Sequence, residues 1–550
     1  MSRSISSFFS HPRAGIIVPA LFFLLYFLLG LGLFDDYVFS WDEELQRRHG
    51  QVSSNYINQH FHFTDKYIAW EELDTYPFRY HGVLFSLTGY LLEVYNEHES
   101  YRHKFMLRHK MVFMLFWLGC LFFFWFARIR FGHWQPALLT VLMLILSPRI
   151  FADSFYNPKD LVFLPLFIIN SFTLLQILRS KQLAWVIPLS MAHALATGML
   201  ISTRIIGIII PAMTLLFFLL DIFNERFRLR TLLKYFLSGT IYAALAVAFT
   251  YILWPYLWET PVERFQEVFE LMSEFTWEGD VLFHGAFISG KDLPWYYLPN
   301  WMLITIPPVY LIFFFLGTLC ITVQLIKNLL QGKFYRDEKA LINLLAAALF
   351  LGPLLAVIVR KSVVYDGWRH LYFIYPFFIL IAMTGFQWLW KKRSSEKKSE
   401  NLLAKVAAWA LVLGMTYTAF FMLFNHPHQN VYFNFLAGKN LEIRFDTDYW
   451  GNSYNKAFEK LHQLEPTADS IRVAYSSYPA TLNHKYLPYA IQERFVLKEN
   501  PGEAEYFISN FRHGPSGMEK YKKSEFPYIN EIYCRKVGNA KVFGIYKLKD

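Results

Sequence analysis

Charged residues are scarce in this chain. They make up 17% of its 550 residues, whereas soluble proteins carry about a quarter. Hydrophobic residues reach 55% and aromatic residues 19%. This shortage of charge excludes an ordinary soluble surface and indicates that much of the surface faces lipid.

Cysteines and nucleotide-binding motifs are also few or lacking. Cys120 and Cys320 lie inside apolar runs, and Cys534 stands alone near the C-terminus, so neither a disulfide framework nor a CxxC metal site can form. No GxxxxGK[ST] loop is present, which argues against an ATP-driven pump. The net charge of +10 falls in short clusters between apolar runs, which does not favour nucleic acid as a partner.

Long apolar runs dominate the first three quarters of the chain. The run 14–34 has no charged residue and is long enough to cross a hydrocarbon core of roughly 30 Å. The predicted fold is an all-α polytopic membrane bundle of about eleven transmembrane helices, followed by a small α/β C-terminal extracytoplasmic domain. The further predicted spans lie near 105–127, 134–150, 161–178, 183–201, 205–221, 234–257, 298–326, 341–359, 371–390 and 403–424.

Basic clusters set the predicted orientation. Arg3 and Arg13 precede the first run, and later clusters fall on alternate connections, so the positive-inside tendency predicts a cytoplasmic N-terminus and an outer C-terminus. We therefore expect two domains. Residues 1–424 form a membrane domain with outer loops 35–104 and 258–297, and residues 425–550 form a soluble α/β domain. The short apolar stretch 83–94 is predicted to be an interfacial helix.

The first candidate for chemistry is an acidic pair directly after the first span. Asp42 and Glu43 stand in Trp41-Asp42-Glu43-Glu44. A carboxylate at the membrane edge can take a proton from an acceptor hydroxyl as a general base. A solvated loop start explains the same residues equally well.

Cations on the predicted outer side are the second candidate. Arg204 is the sharpest case, because it has almost no loop around it and a charge there is costly unless it is paired or faces a cavity. As a set, these residues suit a phosphate. Singly, each can reach lipid head groups or pair with Asp153, Asp160 or Asp366. The set consists of Arg79, His81, Arg149, Lys159, Arg204, Arg360, Lys361, Arg369 and His370.

His284 is a weak metal candidate in the second outer loop. A lone histidine is usually a surface residue. With Asp42, Glu43 or Glu278 nearby in space it could bind a divalent metal, although these residues are far apart in sequence.

Five stretches in order resemble the motifs of the glycosyltransferase C superfamily, whose members include protein O-mannosyltransferases and the aminoarabinose transferases of lipid A. The second stretch departs from the family, because many members have prolines after a basic residue there. The stretches are Trp41-Asp42-Glu43, Tyr76-Pro-Phe-Arg79-Tyr-His81-Gly82, the run from Ser147-Pro-Arg149 to Asn157-Pro-Lys159-Asp160, Tyr365-Asp-Gly-Trp-Arg369-His370, and the run from His426-Pro-His-Gln429 to Asn434.

The resemblance implies transfer of a sugar from a polyprenyl-phosphate donor to a hydroxyl acceptor, with inversion, on the extracytoplasmic side of a bacterial inner membrane. The acceptor stays open between a lipid, a glycan and a protein. By position, Asp42 corresponds to the catalytic base and Glu43 to its neighbour. His284 falls where some members place a metal-binding histidine, but the family does not require a metal.

For the donor phosphate we predict Arg204 and Arg369, with Arg79, Lys159 and His81 as weaker candidates. At the second motif Arg79 is preferred to His81. A transporter or flippase of lipid-linked sugars is the main alternative, but it would need polar residues along a whole path, and the predicted spans are nearly uncharged in their middles. A non-catalytic scaffold would leave Arg204 and the acidic pair unexplained.

Overall fold

The computed structural model describes residues 13–63, 71–96, 100–273, 277–512 and 530–548. Arg3, which contributes to the predicted orientation, lies outside these residues. Ten described helices are long and apolar enough to cross a membrane, or eleven if one bent pair is a single span. The predicted class, a helical membrane bundle with a small sheet-containing part near the C-terminus, is confirmed.

The membrane part follows the apolar runs closely. Its helices are α1 (Ala14–Leu33), α2 (Glu43–Phe61), α3 (Leu84–Tyr95), α4 (Tyr101–Phe131), α5 (Trp134–Ile145), α6 (Pro148–Tyr156), α7 (Asp160–Arg179), α8 (Leu183–Ile201), α9 (Ile209–Asn224), α10 (Leu229–Leu253), α11 (Pro261–Ser273), α12 (Tyr297–Thr305), α13 (Pro308–Leu329), α14 (Glu338–Val359), α15 (Tyr375–Trp390) and α16 (Lys398–Phe424).

Two of the predicted spans are not continuous helices in the structure, and each is interrupted at a proline. The predicted span 134–150 is broken between α5 and α6, which are bent by 72°, because α6 starts at Pro148. The predicted span 298–326 is divided at Pro307, so that the membrane helix α13 starts only at Pro308. Proline lacks the N–H that continues a helix and is favoured at the first helical position.

Glycines let two spans approach closely. A Cβ on Gly317 of α13 would lie 1.9 Å from the carbonyl oxygen of Ile381, and one on Gly385 of α15 would lie 2.2 Å from that of Phe313. Small residues allow such backbone contact between membrane helices. The pair α13–α15 therefore forms a tight part of the bundle, and the chain segment leading into α15 carries Arg369.

The C-terminal part contains a five-stranded mixed sheet in the order β4-β3-β5-β7-β6. β3 pairs in parallel with β4 and β5, whereas β7 pairs antiparallel with β5 and β6. A separate antiparallel hairpin, β1–β2, lies in the second predicted outer loop. The elements are β1 (Asp280–Phe283), β2 (Ala286–Ser289), α17 (Ser453–Leu464), β3 (Ile471–Tyr475), α18 (Pro479–Tyr486), α19 (Tyr489–Gln492), β4 (Phe495–Lys498), β5 (Tyr506–Ser509), β6 (Glu531–Val537) and β7 (Ala540–Lys547).

The C-terminal part rests on the end of the bundle where the acidic pair lies. Trp41 N donates to the carbonyl of Trp450 at 3.1 Å, and Asn483 Nδ2 donates to the carbonyl of Phe39 at 3.1 Å. We call this end of the bundle the site face. The start of α7 and the end of α8 also lie there, since Asp160 and Arg204 are in contact.

Candidate active site

Arg369 is the centre of an ionic network at the site face. Its side chain is 3% exposed and touches three carboxylates. Nη1 lies 3.3 Å from Asp42 Oδ2 and 3.1 Å from Asp160 Oδ2, and Nη2 lies 3.4 Å from Asp366 Oδ2. A buried arginine needs such partners, because an unpaired charge would be expensive there.

Asp160 joins Arg369 to a second arginine. Arg204 Nη1 donates to Asp160 Oδ1, so one carboxylate bridges two cations. The Arg204 side chain keeps 15% of its surface exposed. The structure therefore brings Arg204 and Arg369 together. It also gives each of them a carboxylate partner, as expected if these arginines only form ion pairs within the protein.

A turn at Asn157 positions the start of α7. Asn157 Oδ1 accepts from the backbone N–H groups of Lys159 at 3.2 Å and of Asp160 at 2.8 Å. Its Nδ2 lies 3.3 Å from Asp153 Oδ2 and 3.2 Å from Asp160 Oδ2. Asparagine favours such turns, because its side chain replaces the missing helical acceptor. Lys159 and Asp160 are thereby held beside the network.

Lys159 is the cation of this cluster without a close carboxylate. Among the described residues, no carboxylate oxygen lies within 4.0 Å of its Nζ. Burial lowers the pKa of Lys159 to about 8, and the charge of Arg204 acts in the same direction, while Asp42 and Asp160 oppose it. Lys159 is therefore the cation most available to an added anion.

A tight turn carries Asp366 to Arg369. Asp366 and Gly367 both adopt positive φ angles, of 54° and 78°, a conformation that aspartate and glycine tolerate best. Gly367 N donates to the hydroxyl of Tyr297 at 3.0 Å. Arg512, from the end of the C-terminal sheet, donates through Nη2 to Asp366 Oδ1 at 3.2 Å.

Aromatic rings enclose the cations. The guanidinium of Arg369 lies 5.0 Å from the ring centre of Tyr365 and 4.8 Å from that of Trp450. The guanidinium of Arg512 lies 4.4 Å from the ring centre of Trp41. Cation–π contacts of this kind stabilise a charge and exclude water from it.

The two acidic residues of the first motif have different environments. Asp42 is 20% exposed, and its Oδ1 makes no hydrogen bond to any described residue. Glu43 is 1% exposed, accepts from Ser40 N at 2.7 Å and Ser40 Oγ at 3.0 Å, and lies 2.8 Å from His109 Nε2. These contacts hold the Glu43 carboxylate inside the structure at the start of α2. Asp42 is the carboxylate that a substrate can reach.

The two candidate phosphate ligands of the second motif, Arg79 and His81, lie in different surroundings. Arg79 Nη1 donates to the carbonyl of Tyr76 at 3.1 Å and its Nη2 lies 4.0 Å from Glu267, so the structure does not bring the preferred phosphate ligand to Arg369. Burial, with the nearby charge of Lys159, holds the pKa of His81 well below its usual range. His81, the runner-up, is therefore a neutral imidazole close to Lys159.

His284 lies apart from the acidic residues that could have made it a metal ligand. Its Nε2 is 3.2 Å from Asn300 Oδ1, and its Nδ1 is 3.3 Å from Arg444 Nη2. In the described part of the chain, no three His, Cys, Asp or Glu side chains are arranged to hold a metal ion.

Sequence reasoning missed three residues at the network. Arg512 and Trp450 come from the C-terminal part, and neither lies in a stretch that resembles a family motif. His49 of α2 is buried and lies 5.3 Å from His81, measured between ring centres, and burial lowers its pKa to about 3.

Chemically, the network holds four cations and three carboxylates. The cations are Lys159, Arg204, Arg369 and Arg512, and the carboxylates are Asp42, Asp160 and Asp366. Asp160 and Asp366 are buried and doubly paired, whereas Asp42 is the partly exposed member. The arrangement can accept an added anion at its cations and a proton at Asp42.

No protein-family model matches the chain, and no curated protein is similar to it. Similar solved structures include the oligosaccharyltransferase of Archaeoglobus fulgidus in the apo form, with 12% sequence identity, a TM-score of 0.48 and coverage of 90% of this chain and 66% of that one. This chain thus spans slightly less than two thirds of that protein.

Two further structures contain lipid phosphates. One is the archaeal oligosaccharyltransferase AglB from Archaeoglobus fulgidus with an inhibitory peptide and a dolichol-phosphate, at 12% identity, a TM-score of 0.48, and coverage of 96% of this chain and 74% of that one. The other is ArnT from Cupriavidus metallidurans bound to undecaprenyl phosphate, at 12% identity, a TM-score of 0.47, and coverage of 97% and 98%. Likeness at this level does not identify an activity or site residues.

Proposed function

We propose that this chain is a membrane glycosyltransferase that moves a sugar from a polyprenyl-phosphate donor to a hydroxyl acceptor, with inversion. One observation supports this most. A partly exposed carboxylate, Asp42, stands in the same network as Lys159, a cation without a close carboxylate. Three of the stretches that resemble glycosyltransferase C motifs contribute to this network, through Asp42, through Lys159 and Asp160, and through Asp366 and Arg369.

Asp42 is proposed as the general base. Arg369 holds its Oδ2 at 3.3 Å, which orients the carboxylate and leaves Oδ1 for the acceptor hydroxyl. The hydroxyl oxygen attacks the anomeric carbon of the donor, and its proton passes to Asp42. The bond from the anomeric carbon to the phosphate oxygen breaks, and polyprenyl phosphate leaves with the bonding electrons. A single displacement of this kind inverts the anomeric centre.

Lys159 and Arg204 are proposed as the donor-phosphate ligands. The leaving phosphate gains charge as the bond breaks, so cations fixed beside it stabilise the transition state. Lys159 has no close carboxylate among the described residues, and Arg204 keeps 15% of its side chain exposed while its Nη1 contacts Asp160. His81, whose pKa the charge of Lys159 helps to lower, is proposed as a further donor to the same phosphate through its neutral ring. Arg369 and Arg512 hold the carboxylates in place.

The membrane architecture suits a lipid-linked donor. We propose that residues 1–424 form the membrane domain, that residues 425–550 form a domain on the extracytoplasmic side, and that the N-terminus is cytoplasmic. The prenyl chain then stays among the helices while its phosphate reaches the site face. Such an enzyme needs no ATP, because the lipid phosphate is already a leaving group.

The test uses the purified full-length protein in lipid nanodiscs. It is given undecaprenyl-phosphate-linked hexoses and pentoses with a lipid, glycan or peptide acceptor, and release of undecaprenyl phosphate is followed by mass spectrometry. A glycosyltransferase releases the lipid phosphate only when donor and acceptor are both present. Movement of intact donor across a proteoliposome membrane without release would favour the flippase alternative.

A further inference from the structure

A cavity of about 1040 Å³ lies at the end of the helical bundle away from the site face. α7 begins at Asp160 in the ionic network and ends at Arg179, which lines this cavity. Its twenty residues extend about 30 Å at the rise of an α-helix. The cavity therefore opens on the face of the bundle opposite the site.

Basic residues outnumber acidic residues in the cavity lining. Six cations and four carboxylates line it. Each of the four carboxylates already has a hydrogen-bond or ion-pair partner in the structure. The cations are Arg179, Lys181, Arg228, Arg230, Lys234 and Arg336, and the carboxylates are Asp221, Glu225, Asp337 and Glu338.

Two of the carboxylates accept hydrogen bonds from uncharged groups. Asp221 accepts hydrogen bonds from the hydroxyls of Tyr235 and Tyr335. Asp337 caps α14 and accepts from the backbone N–H of Ala340 at 2.8 Å. Both carboxylates have roles in the packing of the helices and the start of α14.

The other two carboxylates form ion pairs with arginines of the cavity lining. Glu225 Oε2 lies 3.0 Å from Arg228 Nη1. Glu338 Oε1 contacts Arg179 Nε. Two of the six lining cations, Arg179 and Arg228, are therefore neutralised by ion pairs.

Four cations of the cavity remain without a close carboxylate. In the part of the chain that the structure describes, no carboxylate oxygen lies within 4.0 Å of Lys181, Arg230, Lys234 or Arg336. Arg230 Nη2 donates to the carbonyl of Lys181 at 2.7 Å, and Lys234 Nζ donates to that of Leu178 at 3.1 Å. Backbone carbonyls hold these two side chains in place, and the charges of Asp221 and Glu225 act on Lys234 from beyond ion-pair distance. With six cations and four carboxylates, the concave surface keeps an excess of positive charge, which favours an anionic ligand.

Apolar side chains line the same cavity. Leu183, Trp185, Val186 and Leu189 of α8 belong to the lining. Trp185 is 61% exposed, as is common for tryptophans at the level of lipid head groups. The cavity thus offers cations to a head group and an apolar wall to acyl chains.

We propose that this cavity binds one anionic phospholipid, with its phosphate held by Lys181, Arg230 and Arg336 and its chains against α8. Basic pockets between membrane helices are suited to phospholipid head groups. The volume is within the range of ligand cavities, which reach about 1,000 Å³. This site is separate from the proposed catalytic network, so it stands whether or not the chain transfers sugars.

Native mass spectrometry of the full-length protein in detergent tests the proposal. Dioleoylphosphatidylglycerol is titrated against dioleoylphosphatidylcholine, which has the same chains and no net charge, and against glycerol 1-phosphate, which has no chains. The cavity variant is Lys181→Ala/Arg336→Ala. The matched control is Lys397→Ala/Lys398→Ala, which removes the same charge from exposed positions at the start of α16.

We expect phosphatidylglycerol to bind more tightly than phosphatidylcholine and the cavity variant to lose roughly 20-fold in affinity for it, while the control pair keeps wild-type affinity. Equal affinity for the two lipids, or equal loss in the control, would overturn the proposal. Binding of glycerol 1-phosphate as tight as that of the lipid would show a soluble phosphate site instead. If the double variant does not fold, Lys181→Ala and Arg336→Ala are measured singly, each with an expected loss of roughly fivefold.

Discussion

At the residue scale, environment separates two neighbouring carboxylates, of which the family resemblance already pointed to Asp42 as the base. Glu43 is buried against Ser40 and His109, whereas Asp42 reaches solvent and has one cation partner, Arg369. A general base must meet its substrate, so only Asp42 fits that role. The difference arises from the direction of two adjacent side chains at the start of α2, which sequence spacing does not determine.

Arg369 and Arg204 should respond differently to truncation. Arg369→Ala takes one of two arginine partners from each of the buried Asp160 and Asp366 and breaks the ion pair of Asp42, so the free energy of unfolding should fall, by up to roughly 3–5 kcal/mol. Arg204→Ala leaves Asp160 with Arg369 as a partner, so the protein should stay folded and lose affinity for undecaprenyl phosphate. Arg204→Lys should recover only part of it, because lysine lacks the planar fork. Thermal unfolding and lipid-phosphate binding measure the two effects, and unchanged affinity in Arg204→Ala would remove this residue from the site.

Lys159 should make donor binding depend on pH. Its pKa is lowered to about 8, so the ammonium is present below that pH and is lost as the pH rises through it. Affinity for undecaprenyl phosphate should therefore decline in alkaline solution, with a midpoint at or above pH 8, because a bound phosphate favours the charged form. Lys159→Gln should bind weakly with a flat pH profile, and the exposed Lys361→Gln should keep the wild-type profile. A wild-type profile in Lys159→Gln would contradict the assignment.

At the scale of elements, hydropathy predicted the helices and proline placed their breaks. The runs near 134–150 and 298–326 are mostly apolar, with Arg149 as their one charged residue, which is why they were expected to be single spans. Pro148 and Pro308 start new helices there, and the first break turns Asp153 and Asn157 toward the network. Arg512 could not be predicted, because its contact with Asp366 joins residues 146 positions apart and no motif surrounds Arg512.

The contact between α13 and α15 is expected to tolerate no side chain at Gly385. In Gly385→Ala the added Cβ would lie 2.2 Å from the backbone oxygen of Phe313, so the helices must separate. Overpacking of this kind costs typically about 1–3 kcal/mol, and the thermal unfolding temperature in detergent should fall. Gly239→Ala in α10 is the matched control, because nothing lies within 4 Å of its Cβ position. Equal unfolding temperatures for the two variants would contradict this packing.

At the scale of the whole molecule, the two faces of the bundle have different chemistry. One face holds the ionic network under the C-terminal sheet, and the other holds the cationic cavity. The basic clusters that predicted the orientation line that cavity in part, which is what the positive-inside tendency expects of a cytoplasmic face. Which face is cytoplasmic stays a prediction from the local basic clusters, whereas the pairing of Asp42 with Arg369 depends on tertiary folding.

Orientation is tested with a reporter fused after residue 550. We predict that alkaline phosphatase at this position is active, since that enzyme requires an extracytoplasmic location, and that a fluorescent protein that folds only in the cytoplasm is dark. A reporter inserted in the loop between α9 and α10 should behave in the opposite way. The reverse pattern would place the ionic network on the cytoplasmic side.

The central claim is that Asp42 takes the proton from the acceptor in a sugar transfer. The most direct measurement is the rate of acceptor-dependent release of undecaprenyl phosphate by folded Asp42→Asn protein, beside Asp35→Asn, the same change at an exposed position seven residues earlier. Loss of a general base costs roughly 10²–10⁴-fold in rate. We predict a loss of this size in Asp42→Asn, with unchanged thermal unfolding, and a near-normal rate in Asp35→Asn. A near-normal rate in Asp42→Asn would contradict the account.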